Sequence, residues 1–182
     1  AALLMGCGEE ERQTVIPPST RPSQQTTKFT TKKVDGGWKL FKGNNEFYIN
    51  GAATNNFYAE VKDWGGNVVR TYGIKDEPDA KTNYTTKMVL DEASANGLYV
   101  NMGLAMKDCD DFDYSNPANA EAIAEQLANI RTWVRRFRNH PAVLCWSIGN
   151  EAESGDKAKN EVYFKHIEDV AKMIHEEDPN HP

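Results

Sequence analysis

From about residue 34 onward, short apolar runs alternate with stretches in which apolar side chains recur every three or four positions. Trp38-Lys39-Leu40-Phe41, the turn residues Gly43-Asn44-Asn45 and then Glu46-Phe47-Tyr48-Ile49 predict a β-hairpin that runs on toward Asn55. Phe57, Val61 and Trp64 have helical spacing, and Gly65-Gly66 stops that short helix. Asn67-Val68-Val69-Arg70-Thr71-Tyr72 reads as a strand. Thr82 or Asn83 caps a helix carrying Met88, Val89, Leu90 and Ala93, which Gly97 stops. Leu98 to Leu104 is the next apolar run. Asn116-Pro117 marks a helix start, and Ile123, Leu127, Ile130, Val134 and Phe137 form a clear stripe along it. His140-Pro141 breaks that helix. The run Ala142-Val143-Leu144-Cys145-Trp146-Ser147-Ile148 then delivers Asn150-Glu151 to its end. A last helix shows Tyr163, Ile167, Val170 and Ile174 on one face and closes at Asp178-Pro179.

Strand and helix thus alternate through successive units, which means a parallel sheet with α/β architecture. An open doubly wound sheet and a closed (βα)8 barrel both begin this way. No glycine-rich phosphate loop follows any strand, so a nucleotide fold of the usual kind is unsupported. In either architecture the C-terminal ends of the strands are where ligands bind, and Glu151 stands at such an end. A carboxyl group held there suits general acid/base chemistry.

The 182 residues suffice for a real core. A net charge of −6 offers no basic stripe to phosphates, so nucleic acid is excluded as a partner. No apolar run is long enough to span a bilayer. Residues 1–7, ending Leu4-Met5-Gly6-Cys7, resemble the tail of a bacterial lipoprotein signal in which Cys7 becomes the lipidated N-terminus. The run Glu9-Glu10-Glu11 resembles the export signal of surface lipoproteins in Bacteroidetes-type bacteria. Residues 8–33, with Pro17, Pro18, Pro22 and many Ser, Thr and Gln, read as a linker, leaving 34–182 as the folded part. We therefore expect a secreted protein, lipid-anchored to a bacterial outer membrane or cell surface, that meets membrane through that anchor alone. Cys109 and Cys145 could pair, though a buried free thiol at Cys145 is the preferred reading.

Other polar and aromatic residues read more plainly. Glu153 is a solvated charge or first-turn acid, and Asp108, Asp110 and Asp111 are a solvated loop. Trp146 and Trp64 are assigned to the core, and Trp133 to packing against a neighbouring helix. Arg131, Arg135, Arg136 and Arg138 form an exposed helix face with acidic partners. The four histidines show no ligand spacing, so we expect no metal and no cofactor.

Glu46-Phe47-Tyr48-Ile49-Asn50-Gly51, Asn67-Val68-Val69-Arg70-Thr71-Tyr72, Asn96-Gly97-Leu98-Tyr99-Val100 and Trp146-Ser147-Ile148-Gly149-Asn150-Glu151 come in the order seen in clan A glycoside hydrolases. The chain resembles the family 2 catalytic barrel from about Phe41 to its end. The Arg-Thr-Tyr and Asn-Gly-Leu-Tyr-Val segments are also similar to family 72 glucanosyltransferases and family 17 glucanases. The resemblance implies a (βα)8 TIM barrel preceded by a β-hairpin, with about its first four βα units present. It implies a retaining glycosidase or transglycosidase acting on an oligo- or polysaccharide with β-linkages, β-glucan preferred. Glu151 would be the acid/base, Asn150 would bind the 2-hydroxyl, and Arg70 would orient the nucleophile. Tyr72, two residues beyond Arg70 along the strand, and Asn55, at the end of the first strand, are further substrate-binding candidates.

In this clan the nucleophile ends strand seven. Four units fill roughly half of a ~250-residue barrel, so the chain reads as the N-terminal half of a longer protein and is expected to be inactive by itself. Two other readings compete: a glycan-binding lipoprotein that keeps the groove without the chemistry, and an enzyme of another class on the same barrel.

Overall fold

The computed structural model describes residues 28–78, 83–153 and 155–182. The signal-like start, Cys7 and most of the Pro-rich segment lie outside the described residues.

Chain direction and pairing divide the structure into two sheets. The first is antiparallel, with β1 (Phe29–Val34), β2 (Gly37–Lys42) and β3 (Asn45–Glu46) in that order. The β2–β3 pair is the hairpin read from the sequence, but its second strand stops at Glu46, and residues 47–50 carry no strand before the separate β4. β1 was not foreseen, and it begins at Phe29, ahead of the boundary at residue 34. Its missed signal is Asp35-Gly36, with φ of 51° and 82°, the Asp-Gly pair that a tight two-residue hairpin favours.

The second sheet is parallel, in the sequential order β4 (Gly51–Ala53), β5 (Val68–Arg70), β6 (Tyr99–Leu104) and β7 (Val143–Ile148). Each strand is followed by a helix: α1 (Tyr58–Asp63), α2 (Thr86–Ala95), α3 (Ala120–Phe137) and α4 (Lys157–Glu177). β5, β6 and β7 are largely apolar runs with helices packed on them, the pattern of buried parallel strands, whereas β4, Gly-Ala-Ala, is exposed. The core runs through Val69, Leu90, Val100, Met102, Val134, Val143, Trp146 and Val170. Trp146 is thus in the core, as expected.

Local chemistry sets the helix ends. Thr85, rather than Thr82 or Asn83, caps α2, its hydroxyl accepting from Met88 N at 3.3 Å. Asn116 accepts from Ala118 N at 3.0 Å and opens a 3-10 turn, Pro117–Asn119, that leads into α3. The α3 stripe buries Ile130, Val134 and Phe137. The arginine face finds acidic partners: Arg131 and Arg135 donate to Glu177 at 2.8 and 2.7 Å, and Arg136 pairs with Asp76. Arg135 beside it holds the Glu177 carboxyl below its ordinary pKa.

Trp64 is a correction. It is 81% exposed, not core. Trp64 is the C-cap of α1, its N–H still donating to Glu60 O at 3.0 Å, and the buried face of this short helix is carried by Tyr58 and Val61 instead. Trp133 stacks on Phe137 of its own helix, ring centroids 6.0 Å apart, and is packed, partly buried, against the core.

The antiparallel sheet closes the N-terminal end of the parallel strands. Phe29 is buried against Val68 and Leu144, with Phe47 and Tyr99 edge-on to its ring at 5.3 and 4.9 Å. Phe29 N donates to Asn180 O at 2.9 Å. Near it, Asp178 accepts from Trp146 Nε1 at 2.8 Å and lies 2.8 Å from His181 Nδ1, all three residues being buried.

Candidate active site

At the opposite end of the parallel sheet, β5 delivers Arg70 and β7 leads to Asn150-Glu151. Arg70 Nη2 donates to Asn150 Oδ1 at 2.9 Å, across the intervening β6. Its guanidinium carbon sits 4.8 Å from the centre of the Tyr72 ring. Alternation along an extended chain puts residues 70 and 72 on one side, which makes that stacking possible. Tyr72 remains 55% exposed.

The turn that presents Glu151 is tightly held. Gly149 has φ of 73° and donates to Leu104 O at 2.8 Å. A Cβ on Gly149 would lie 2.6 Å from the Tyr163 hydroxyl, so only glycine fits. Glu151 has φ of 48°, uncommon for a residue with a side chain and a mark of functional turns. The next carbonyl, Ala152 O, accepts from Cys109 N at 3.1 Å and from Cys109 Sγ at 2.6 Å. The loop after β6 therefore grips the loop after β7. Cys109 and Cys145 are not bonded to each other, and burial pushes the Cys145 thiol up to about 11.

Arg70 is shared by two clefts. One, of about 320 Å³, is lined by Arg70, Asn150, Glu151, Glu153, Tyr163 and Phe164. The other, of about 250 Å³, is lined by Ala53, Arg70, Tyr72 and Asn101. Asn101 pairs with Arg70 in the β5–β6 register. Arg70 Nε and Asn101 Oδ1 are buried and have no hydrogen-bond partner among the described residues. Buried polar groups of this kind ordinarily find a partner. Burial raises the Tyr163 phenol to about 12, which keeps it neutral and a donor at ordinary pH. A further cleft of about 350 Å³, beside α3 and lined by Trp133 and Gln126, holds none of Arg70, Asn150 or Glu151. Among the described residues, no group of three or more His, Cys, Asp or Glu is placed to hold a metal ion.

The structure thus brings together Arg70, Tyr72, Asn150 and Glu151. Asn55 is exposed and lines a neighbouring cleft with Tyr72. Glu153 is exposed, as expected. Sequence reasoning missed Asn101, whose signal was one amide inside the apolar run Leu98–Leu104. It also missed Cys109 and Tyr163, whose contacts to the Glu151 turn are not visible in spacing.

Residues 77–182 match the glycosyl hydrolases family 2, TIM barrel domain. The chain belongs to this family. It is 31% identical over 125 residues to a β-glucuronidase of Streptococcus agalactiae, an alignment covering 65% of this chain and 19% of that protein. It is 32% identical over 92 residues to the β-galactosidase large subunit of Lactobacillus helveticus, covering 50% of this chain and 14% of that protein. A solved β-glucuronidase from Ruminococcus gnavus, in complex with uronic deoxynojirimycin, superposes with a TM-score of 0.60 at 15% identity. That superposition covers 84% of this chain and 25% of that one, and shows the fold alone. The chain spans under a fifth of the length of these two sequence relatives. The parallel sheet is accordingly a part of an α/β barrel of the TIM type, and the Glu151 cleft opens at the strand ends where such barrels carry their active sites.

Proposed function

We propose that this domain serves a retaining β-glycosidase in which Glu151 is the acid/base. The observation that carries the reading is the Arg70–Asn150 hydrogen bond beside Glu151, which gathers a cation, an amide and a carboxyl group in one cleft at the strand ends. In the first step Glu151 donates its proton to the glycosidic oxygen as a carboxylate nucleophile attacks the sugar's anomeric carbon. In the second it takes a proton from water, or from an acceptor sugar, as the glycosyl–enzyme bond breaks. Asn150, held by Arg70, hydrogen-bonds the 2-hydroxyl. Arg70 keeps its buried Nε for the nucleophile, which has to stand about 5–5.5 Å from Glu151. A guanidinium there keeps that carboxylate ionised.

The relatives named as β-glucuronidase and β-galactosidase support a β-linked substrate. β-Glucan is the first polymer to try, on the Arg70-Thr71-Tyr72 likeness. Secretion with a lipid anchor at Cys7 is part of the proposal, and loss of fatty-acid labelling in Cys7→Ala tests it.

Glu151→Gln in the complete protein tests the chemistry. Turnover of glycosides with poor leaving groups should fall about 10²–10⁴-fold, while those with good leaving groups, needing no proton in the first step, lose far less in that step. Equal turnover by both proteins on poor leaving groups would sink the assignment.

A further inference from the structure

The cleft of about 250 Å³ that Arg70 shares with Asn101 has one polar wall and one made of small side chains. β4 lines it with Gly51, Ala52 and Ala53, which take up little of its space. β5 and β6 line it with Arg70 and Asn101. Those two are register partners on adjacent strands, so both side chains leave the same face of the sheet. Arg70 reaches over β6 to Asn150, which carries its guanidinium across the strand that holds Asn101.

Both residues are half-buried, and each has a covered polar atom without a partner among the described residues, Arg70 Nε and Asn101 Oδ1. The groups that touch the guanidinium, the Asn150 amide and the Tyr72 ring, are neutral. A cation drawn out of water calls for an anion beside it. Oδ1 is the covered end of the Asn101 amide, which leaves the NH2 end to the cleft. The polar wall thus offers a charged donor and a neutral donor side by side, and the small wall leaves room for a side chain to enter. Two such donors match the two oxygens of one carboxylate.

We propose that Asn101 is a second donor to the catalytic nucleophile, its NH2 on one carboxylate oxygen and the Arg70 guanidinium on the other. This rests on the retaining glycosidase reading, which supplies the anion. Donors aimed at a carboxylate favour its ionised form and fix its plane. In the first step that presents one oxygen to the anomeric carbon. In the second the bond from sugar to carboxylate breaks, its electron pair returns to the carboxylate, and both donors receive the charge. Asn101 therefore acts on the same carboxyl group twice, before attack and on departure.

The experiment is the pH profile of kcat/KM for the complete protein. The substrate is whichever of the 4-nitrophenyl β-glucoside, β-galactoside, β-mannoside and β-glucuronide it cleaves best. The acid limb of that profile reports the nucleophile and the basic limb reports Glu151. Asn101→Leu keeps the volume and removes the amide. Its acid limb should move up by about one pH unit, the tenfold expected of one hydrogen bond to a charged group, with the basic limb in place. Asn101→Ala reads the same limb if Asn101→Leu does not fold. An acid limb that stays put in a folded variant overturns the proposal, whether kcat/KM is unchanged or falls by one factor at every pH, as loss of packing or of a substrate contact would give. Glu151→Gln should instead keep the acid limb and lose the basic one. A basic limb that survives there fails the acid/base reading and leaves the Asn101 result standing.

Discussion

The two ends of the parallel sheet carry the same kind of backbone and opposite kinds of side chain. At the N-terminal end Phe29, Val68 and Leu144 are buried and aromatic rings pack edge to face around them. The polar groups there, Trp146 Nε1, Asp178 and His181, are buried and bonded to one another. At the C-terminal end Tyr72, Asn150 and Glu151 are exposed, Glu151 sits on a left-handed backbone, and Arg70 Nε lacks a partner among the described residues. Each end holds a buried nitrogen without a partner among the described residues, His181 Nε2 at one and Arg70 Nε at the other, but only the C-terminal end opens its polar side chains to solvent. Stability and chemistry are thereby assigned to different residues of the same strands: on β7 and its exit, Leu144 and Trp146 serve the first and Asn150 and Glu151 the second.

If that division holds, substitutions at the two ends should move different observables. The largest effect belongs to Glu151→Gln, whose loss of turnover should come with an unfolding midpoint near that of wild type. Leu144→Ala is its mirror image. It removes a fully buried side chain and should cost about 2–5 kcal/mol in denaturant unfolding, with kcat at saturating substrate nearly unchanged. A large fall in kcat at full folding would break the comparison.

Asp178→Asn is a subtler probe of the closed end. Burial alone would raise this carboxyl, but hydrogen bonds from His181 and Trp146 outweigh it and hold the pKa below the ordinary value. An unfolded Asp titrates near about 3.9, so the native ion takes up its proton later as pH falls. Its contribution is complete above that value and is lost as pH drops through the lower native pKa. Wild type should therefore exceed Asp178→Asn by about 1–3 kcal/mol near neutrality, and the gap should narrow in acid. Urea midpoints across that range measure it; a gap that widens in acid would contradict the assignment. The smallest effect is expected at Trp38, 73% exposed on the antiparallel sheet, where Trp38→Ser should stay within about 0.5 kcal/mol of wild type.

The helices α2, α3 and α4 and the strands β5, β6 and β7 were legible because each has its own period or apolar run, bounded by Gly, Pro or a cap. β1 was less so, because the polar Thr30-Thr31-Lys32-Lys33 run hides its pairing and leaves Asp35-Gly36 as the one local sign of the turn. Trp64 was misjudged because helical spacing groups it with Phe57 and Val61, whereas the buried face of so short a helix is carried by Tyr58 and Val61. In the site, Glu151, Asn150 and Arg70 stood out as polar residues ending apolar strands. Their mutual geometry depends on Arg70 reaching over β6, a contact 80 positions apart in sequence that no local pattern encodes. The Cys109 grip on Ala152 is of the same kind: two loops meet because neighbouring strands pair, and only the pairing reveals it.

The hydrogen bond from Phe29 to Asn180 joins two points about 150 residues apart. During synthesis on a ribosome, at ~5–20 residues per second, the aromatic plug would wait roughly 8–30 s for its partner to be made. Until then the early strands carry an unsealed hydrophobic end, and Phe29 is available to whatever else it meets. A nascent chain built this way should depend on chaperones most heavily in that interval, and slower translation of the α3–α4 region should lower its soluble yield.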